Sequence, residues 1–112
     1  MIKVLHYIGL DGTDYFDAWL NDQTREGRSR IQTRIDRVED GNLGDHKTVG
    51  GGVSELRINF GPGYRVYFGR HGQTIVVLLA GGTKKRQARD IATAQKRWSQ
   101  YKQEKRDARK RT

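Results

Sequence analysis

From Glu55 to Phe68 the chain alternates between polar and apolar positions. Leu56, Ile58 and Phe60 take turns with Glu55, Arg57 and Asn59, the pattern of a half-buried strand. Gly61-Pro62-Gly63 is a strong turn signal. Tyr64, Val66 and Phe68 then alternate with Arg65 and Tyr67 in a returning strand. Gly72 marks the next turn, and Thr74 to Ala80 is apolar on both faces, as in a strand buried on both sides. Gly81-Gly82 ends that run.

The flanking segments carry different periods. Ile2, Val4 and the run to Ile8 predict a first strand, interrupted by Lys3 and His6 and broken by Gly9 and Gly12. Thr13 or Asp14 caps a helix from about Tyr15 to Thr24, with Tyr15, Phe16, Trp19 and Leu20 at helical spacing. Gly27 is expected to separate it from a second helix, about Arg28 to Asp40. There Ile31, Ile35 and Val38 form a stripe, and Arg30, Arg34 and Arg37 read as a solvated face. Gly41 and Asn42 stop it, and a glycine-rich loop with Gly50, Gly51 and Gly52 follows. A last helix starts near Lys85 with the stripe Ala88, Ile91, Ala94, Trp98 and Tyr101. Beyond Tyr101 only Ala108 is apolar, so residues 102–112 read as a basic extension, a fraying helix or disordered.

This order predicts one α+β domain over residues 1–101: an N-terminal strand and a helical hairpin packed on a curved, mainly antiparallel sheet, with a C-terminal helix. A chain of 112 residues buries one modest core. Cysteine is absent, which excludes disulfides and thiolate chemistry. His6, His46 and His71 lack metal-ligand spacing, and neither a metal nor another cofactor is expected. No apolar run approaches the roughly 20 residues of a membrane span, and the N-terminus does not read as a signal peptide. A soluble cytoplasmic protein is the expectation.

Charge placement changes the picture more than the net value of +9. Residues 1–83 hold ten Lys+Arg and ten Asp+Glu, whereas residues 84–112 hold twelve against three. The whole excess lies in the last 29 residues, as at a nucleic-acid contact or an interaction tail, with a merely solvated helix as the bland alternative. Lys85, Arg86 and Arg89, with Lys47 in the loop entering the sheet, are candidate RNA contacts.

Strand alternation sends Leu56, Ile58, Tyr64, Val66 and Phe68 to the core and turns Glu55, Arg57, Arg65 and Tyr67 the other way, onto what reads as an open face. Lys84 follows the adjacent strand. Together these residues make a cationic concavity suited to phosphate. RNA supplies its own nucleophile, the 2′-hydroxyl. The protein would need charge for the pentacoordinate transition state, a proton acceptor and a proton donor. Arginine suits the first task because it holds two phosphate oxygens at once. Glu55 or a lysine could serve as base, and Tyr67 or Lys84 as acid. The competing reading pairs Arg57 and Arg65 with surface acids. TVGGG and AGGTK lack a phosphate-loop pattern, and His46 reads as solvated.

Several segments, in order, resemble one family: Trp19-Leu20, RIQTRIDRVEDGNLGDHKTVGGGVSELRI at 30–58, GPGYRVYF at 61–68 and IVVLLAGGTKKRQARDIATA at 75–94. The chain resembles the RelE/ParE toxin superfamily, closest to HigB-like addiction-module killer proteins of the phage-derived Gp49-like branch. The resemblance implies a RelE-like fold, a cognate antitoxin encoded nearby, and metal-independent cleavage of mRNA in the ribosomal A site. It also implies that Arg65 matches a phosphate-contacting arginine, Arg57 a basic strand residue and Lys84 the basic residue after the last strand. Tyr67 is the aromatic candidate beside them. One departure stands out: RelE carries a tyrosine in the final helix near the position of Asp90-Ile91, and this chain has none there. That leaves open a ParE-like toxin that inhibits DNA gyrase without cutting RNA. A basic nucleic-acid-binding accessory protein is the third reading.

Overall fold

A computed structural model describes residues 1–110; residues 111–112 of the basic extension lie outside the described residues. The elements run β1 (Lys3–His6), α1 (Tyr15–Asn21), α2 (Arg25–Glu39), β2 (His46–Gly50), β3 (Val53–Ile58), β4 (Tyr64–His71), β5 (Ile75–Thr83) and α3 (Gln87–Lys110), with a 3-10 turn over Lys84–Arg86. The five strands form one sheet in the order β1-β5-β4-β3-β2. β1 runs parallel to β5, and the remaining pairs are antiparallel. This is the α+β architecture expected from the sequence, and it is compatible with a RelE-like fold.

Local chemistry sets the element ends. Asp14 accepts a hydrogen bond from the Asp17 amide at 3.0 Å and caps α1. The same side chain lies 2.8 Å from His6 Nδ1, which ties β1 to the helix start. Thr24 caps α2 by accepting from the Gly27 amide at 3.1 Å. Gly27 therefore lies inside α2 rather than between the helices, and the break falls at residues 22–24. Glycine is needed there because the Tyr64 hydroxyl occupies the place a Cβ would take.

β2 is the strand that sequence patterning placed in a loop. It is the sheet edge, paired on one side with β3, and only Val49 along it is even half-buried. An edge strand with no apolar face shows no alternation, and a lysine on such an edge discourages pairing with another chain.

The sheet is covered on both faces. Ile31, Ile35 and Val38 of α2 and Phe16 of α1 pack on Leu56, Ile58, Val66, Phe68, Val76 and Leu78. On the other face Ala94 and Trp98 of α3 pack on Val53, Tyr67, Val77 and Leu79. β5 serves both layers, and a bulge adjusts its register from Tyr67↔Ala80 to Phe68↔Leu78, leaving Leu79 as the extra residue. Just beyond, Gly81 and Gly82 point to opposite faces. A Cβ on Gly81 would strike the Trp19 ring, and one on Gly82 would strike the Asp90 carboxylate. α3 thus closes the face that the strand pattern left open. Among the described residues no helix is long and apolar enough to cross a membrane.

Candidate active site

The alternation of β3 and β4 brings Glu55, Arg57, Arg65 and Tyr67 to the α3 side of the sheet. Register pairs Glu55 with Tyr67 and Arg57 with Arg65. The first turns of α3 lie over three of the four. Glu55 and Tyr67 are wholly buried and Arg65 is 6% exposed.

The buried carboxylate of Glu55 is held by α3 itself. Gln87 Nε2 donates to Glu55 Oε2 at 3.1 Å and lies 3.4 Å from Oε1. Lys47, its register partner on β2, approaches Glu55 Oε1 at 3.9 Å while staying largely solvated. A buried carboxylate needs such donors, because desolvation penalises the charged form.

Arg65 and Tyr67 stand two residues apart on β4. Arg65 Nη1 donates to the Tyr64 carbonyl at 3.0 Å. Its Nε and the Tyr67 hydroxyl are, among the described residues, the two buried side-chain atoms with no hydrogen-bond partner. Buried orphans of this kind are rare in folded proteins and concentrate at functional sites. Burial, then the charges of Glu55 and Asp90, push the Tyr67 phenol far above its ordinary range, with Arg65 pulling the other way. Tyr67 is therefore held protonated, with its hydroxyl available as a hydrogen-bond donor.

Asp90 enters from α3 through the slot that Gly82 leaves. Burial raises its pKa, and Arg86, Arg89 and Arg97 draw it back. A carboxyl shifted toward neutrality and only half-buried is suited to proton exchange. Sequence reasoning gave Asp90 and Gln87 no role. The glycine at 82, facing the first turn of the following helix, was the one available signal for Asp90.

The remaining cations lie at the rim. Lys84 donates its backbone N–H to the Gly63 carbonyl at 2.8 Å. Its Cβ and Arg65 Nη1 lie 3.3 and 3.7 Å from where a Cβ on Gly63 would stand, so the two share one corner of the sheet. The side chains of Lys84, Lys85, Arg86 and Arg89 are exposed there. Arg57 turns away from this corner. Its Nη2 and Nε donate to Asp45 Oδ1 at 2.7 and 3.1 Å. It lines instead a groove with Arg30, Arg34, Arg37 and Phe60, in which Arg30 sits 4.5 Å over the Phe60 ring. Among the described residues no group of three or more His, Asp or Glu side chains is placed to hold a metal ion.

The comparisons with known proteins agree with this fold. The family model "Phage derived protein Gp49-like" matches residues 18–111. An uncharacterized protein of Haemophilus influenzae (strain ATCC 51907 / DSM 11121 / KW20 / Rd) is 44% identical over 80 residues, covering 70% of this chain and 81% of that protein. The match spans both faces of the sheet and the whole candidate site, so the chain belongs to the phage-derived Gp49-like family, a family of toxin–antitoxin type with RelE-like proteins.

Proposed function

We propose that this chain is a toxin neutralised by a cognate antitoxin, and that it cleaves mRNA on the ribosome by way of the RNA's own 2′-hydroxyl. The observation that carries the reading is the pair of unpartnered polar atoms on β4, Arg65 Nε and the Tyr67 hydroxyl, beside the exposed cations at Lys84 to Arg86.

In this reading Lys47, Lys84, Lys85, Arg86 and Arg89 hold the RNA backbone, and Arg57 extends that contact toward the α2 arginines. Arg65 and Lys84 stabilise the charge that builds on the phosphorane. The 2′-oxygen attacks phosphorus while its proton passes to the Asp90 carboxylate. The bond from phosphorus to the 5′-oxygen breaks, and that oxygen takes the proton of Tyr67. The products are a 2′,3′-cyclic phosphate and a 5′-hydroxyl. Tyr67 is wholly buried, so side chains at the start of α3 must move aside for the substrate to reach it, while Asp90 keeps its place opposite Gly82. No metal takes part in these steps.

The same burial favours a second reading, a binding-only toxin that inhibits gyrase through its cationic rim. The two are separated by inducing the chain in cells and following protein synthesis beside plasmid topology. The nuclease reading expects synthesis to stop with supercoiling unchanged. Relaxed or cleaved plasmid with continuing synthesis would overturn it in favour of the gyrase reading.

A further inference from the structure

At the other end of α3 a second basic cleft opens, of about 260 Å³, between the β4–β5 turn and the last turns of the helix. Its cations include Arg70 on the strand side and Lys102, Lys105 and Arg106 on the helix side, and no acidic residue among the described residues lines it. The floor is aromatic. Trp98 and Tyr101 stack with ring centres 5.2 Å apart and planes 9° from parallel. His71 meets Tyr101 edge-on at 6.2 Å.

The lysines rest on that floor. Lys102 Nζ lies 5.8 Å over the Trp98 ring and Lys105 Nζ 5.4 Å over the Tyr101 ring. A long cationic side chain usually loses much rotamer freedom on binding. Here the rings already restrict it, so the helix presents pre-placed positive charge at positions i, i+3 and i+4. These residues carry part of the positive excess that the first 83 residues lack.

We propose that this cleft is a second nucleic-acid site, which grips the phosphodiester backbone of RNA apart from the candidate cleavage site. Lysine and arginine side by side with aromatic rings suit a phosphate-and-base polymer better than a row of carboxylates. The acid-free lining keeps the field single-signed along the cleft. The site does not depend on the cleavage reading, since none of its residues belongs to the Arg65–Tyr67 constellation.

The test uses the full chain and a short fluorescein-labelled 2′-O-methyl oligoribonucleotide, which has no free 2′-hydroxyl and so reports binding alone. Anisotropy titrations at several salt concentrations compare the parent with the triple variant Lys102→Ala/Lys105→Ala/Arg106→Ala and with Arg70→Ala. The triple variant should bind at least about tenfold more weakly near 0.1 M salt, and its log–log salt slope should fall by about 2. Arg70→Ala should weaken binding from the opposite wall. Circular dichroism checks that each variant is folded. An unchanged affinity and slope in a folded triple variant would overturn the proposal. So would poly-glutamate of matched charge binding as tightly and losing affinity in the same variants, which would assign the cleft to an acidic protein instead.

Discussion

Gln87, in the first turn of α3, donates a hydrogen bond to the wholly buried carboxylate of Glu55 on β3, 3.1 Å away. This contact fastens the start of the helix over Arg65 and Tyr67. It makes α3 both a wall of the core and the cover of the candidate site.

Loss of that contact should register as stability. Gln87→Ala leaves Glu55 with the distant Lys47 ammonium and an unmet acceptor. A penalty of about 1–3 kcal/mol is expected for a buried group so abandoned. Urea denaturation of the parent and variant measures it. Gln87→Glu should cost more, because it sets two carboxylates against each other. A midpoint unchanged in both variants would show that water already serves Glu55.

Tyr67→Phe separates function from folding. The hydroxyl is buried without a partner, so its removal relieves an unmet donor and should leave stability equal or slightly higher. If Tyr67 delivers the proton to the leaving oxygen, the same variant should lose most of its toxicity. The readouts are thermal melting and colony counts after induction. A stable variant with full toxicity would remove Tyr67 from the mechanism.

Asp90 gives a pH signature. Burial raises its folded pKa above the ordinary 3.8, so in the window between the two the native state holds more proton than the unfolded chain. Stability therefore falls as pH rises through that window, and the full cost is present above the folded value. Asp90→Asn removes the ionisation. The variant should melt above the parent at pH 7, and the gap should shrink as pH falls through that window and be gone below about 3.8. A parent that melts higher at pH 7 would mean that Arg86, Arg89 and Arg97 more than offset the burial.

Gly81 is fixed by Trp19, whose ring lies where a Cβ would project. Trp19 in turn packs edge-on against Tyr64, with ring centres 6.0 Å apart. Gly81→Ala must push that ring aside, at a cost of about 1–3 kcal/mol. Gly72→Ala, where nothing stands within 4 Å of the new carbon, is the control for backbone strain without a steric clash. Gly81 has no positive φ, so an unchanged denaturation midpoint in Gly81→Ala would show that the Trp19 ring has room to move.

Much of this geometry was legible because strands β3 and β4 carry apolar residues on one face and mostly polar ones on the other. Two-residue alternation assigned Leu56, Val66 and Phe68 to the helical hairpin and Arg65 and Tyr67 to the opposite side, where the structure places them. It could not show that this side is covered. The stripe Ile91, Ala94 and Trp98 says that α3 buries a face, but not against which surface. Arg57 had the right parity, yet its long side chain reaches Asp45 in the loop before β2, a contact that strand spacing does not encode. Gln87 and Asp90 look like any polar residues in a first helical turn, and only the closed sheet beneath them distinguishes them. The 102–110 segment shows the same limit. Its apolar stripe stops at Tyr101, but helical geometry carries it onward to line the basic cleft.

The central claim is that the corner built around Arg65 cuts translated RNA. The direct measurement is mapping of mRNA 5′ ends in cells shortly after induction, with Arg65→Ala as the control and its folding verified by circular dichroism. The account predicts new 5′-hydroxyl ends within translated codons, present with the parent and absent with Arg65→Ala. Growth arrest with intact transcripts, or the same ends in the folded Arg65→Ala variant, would contradict it.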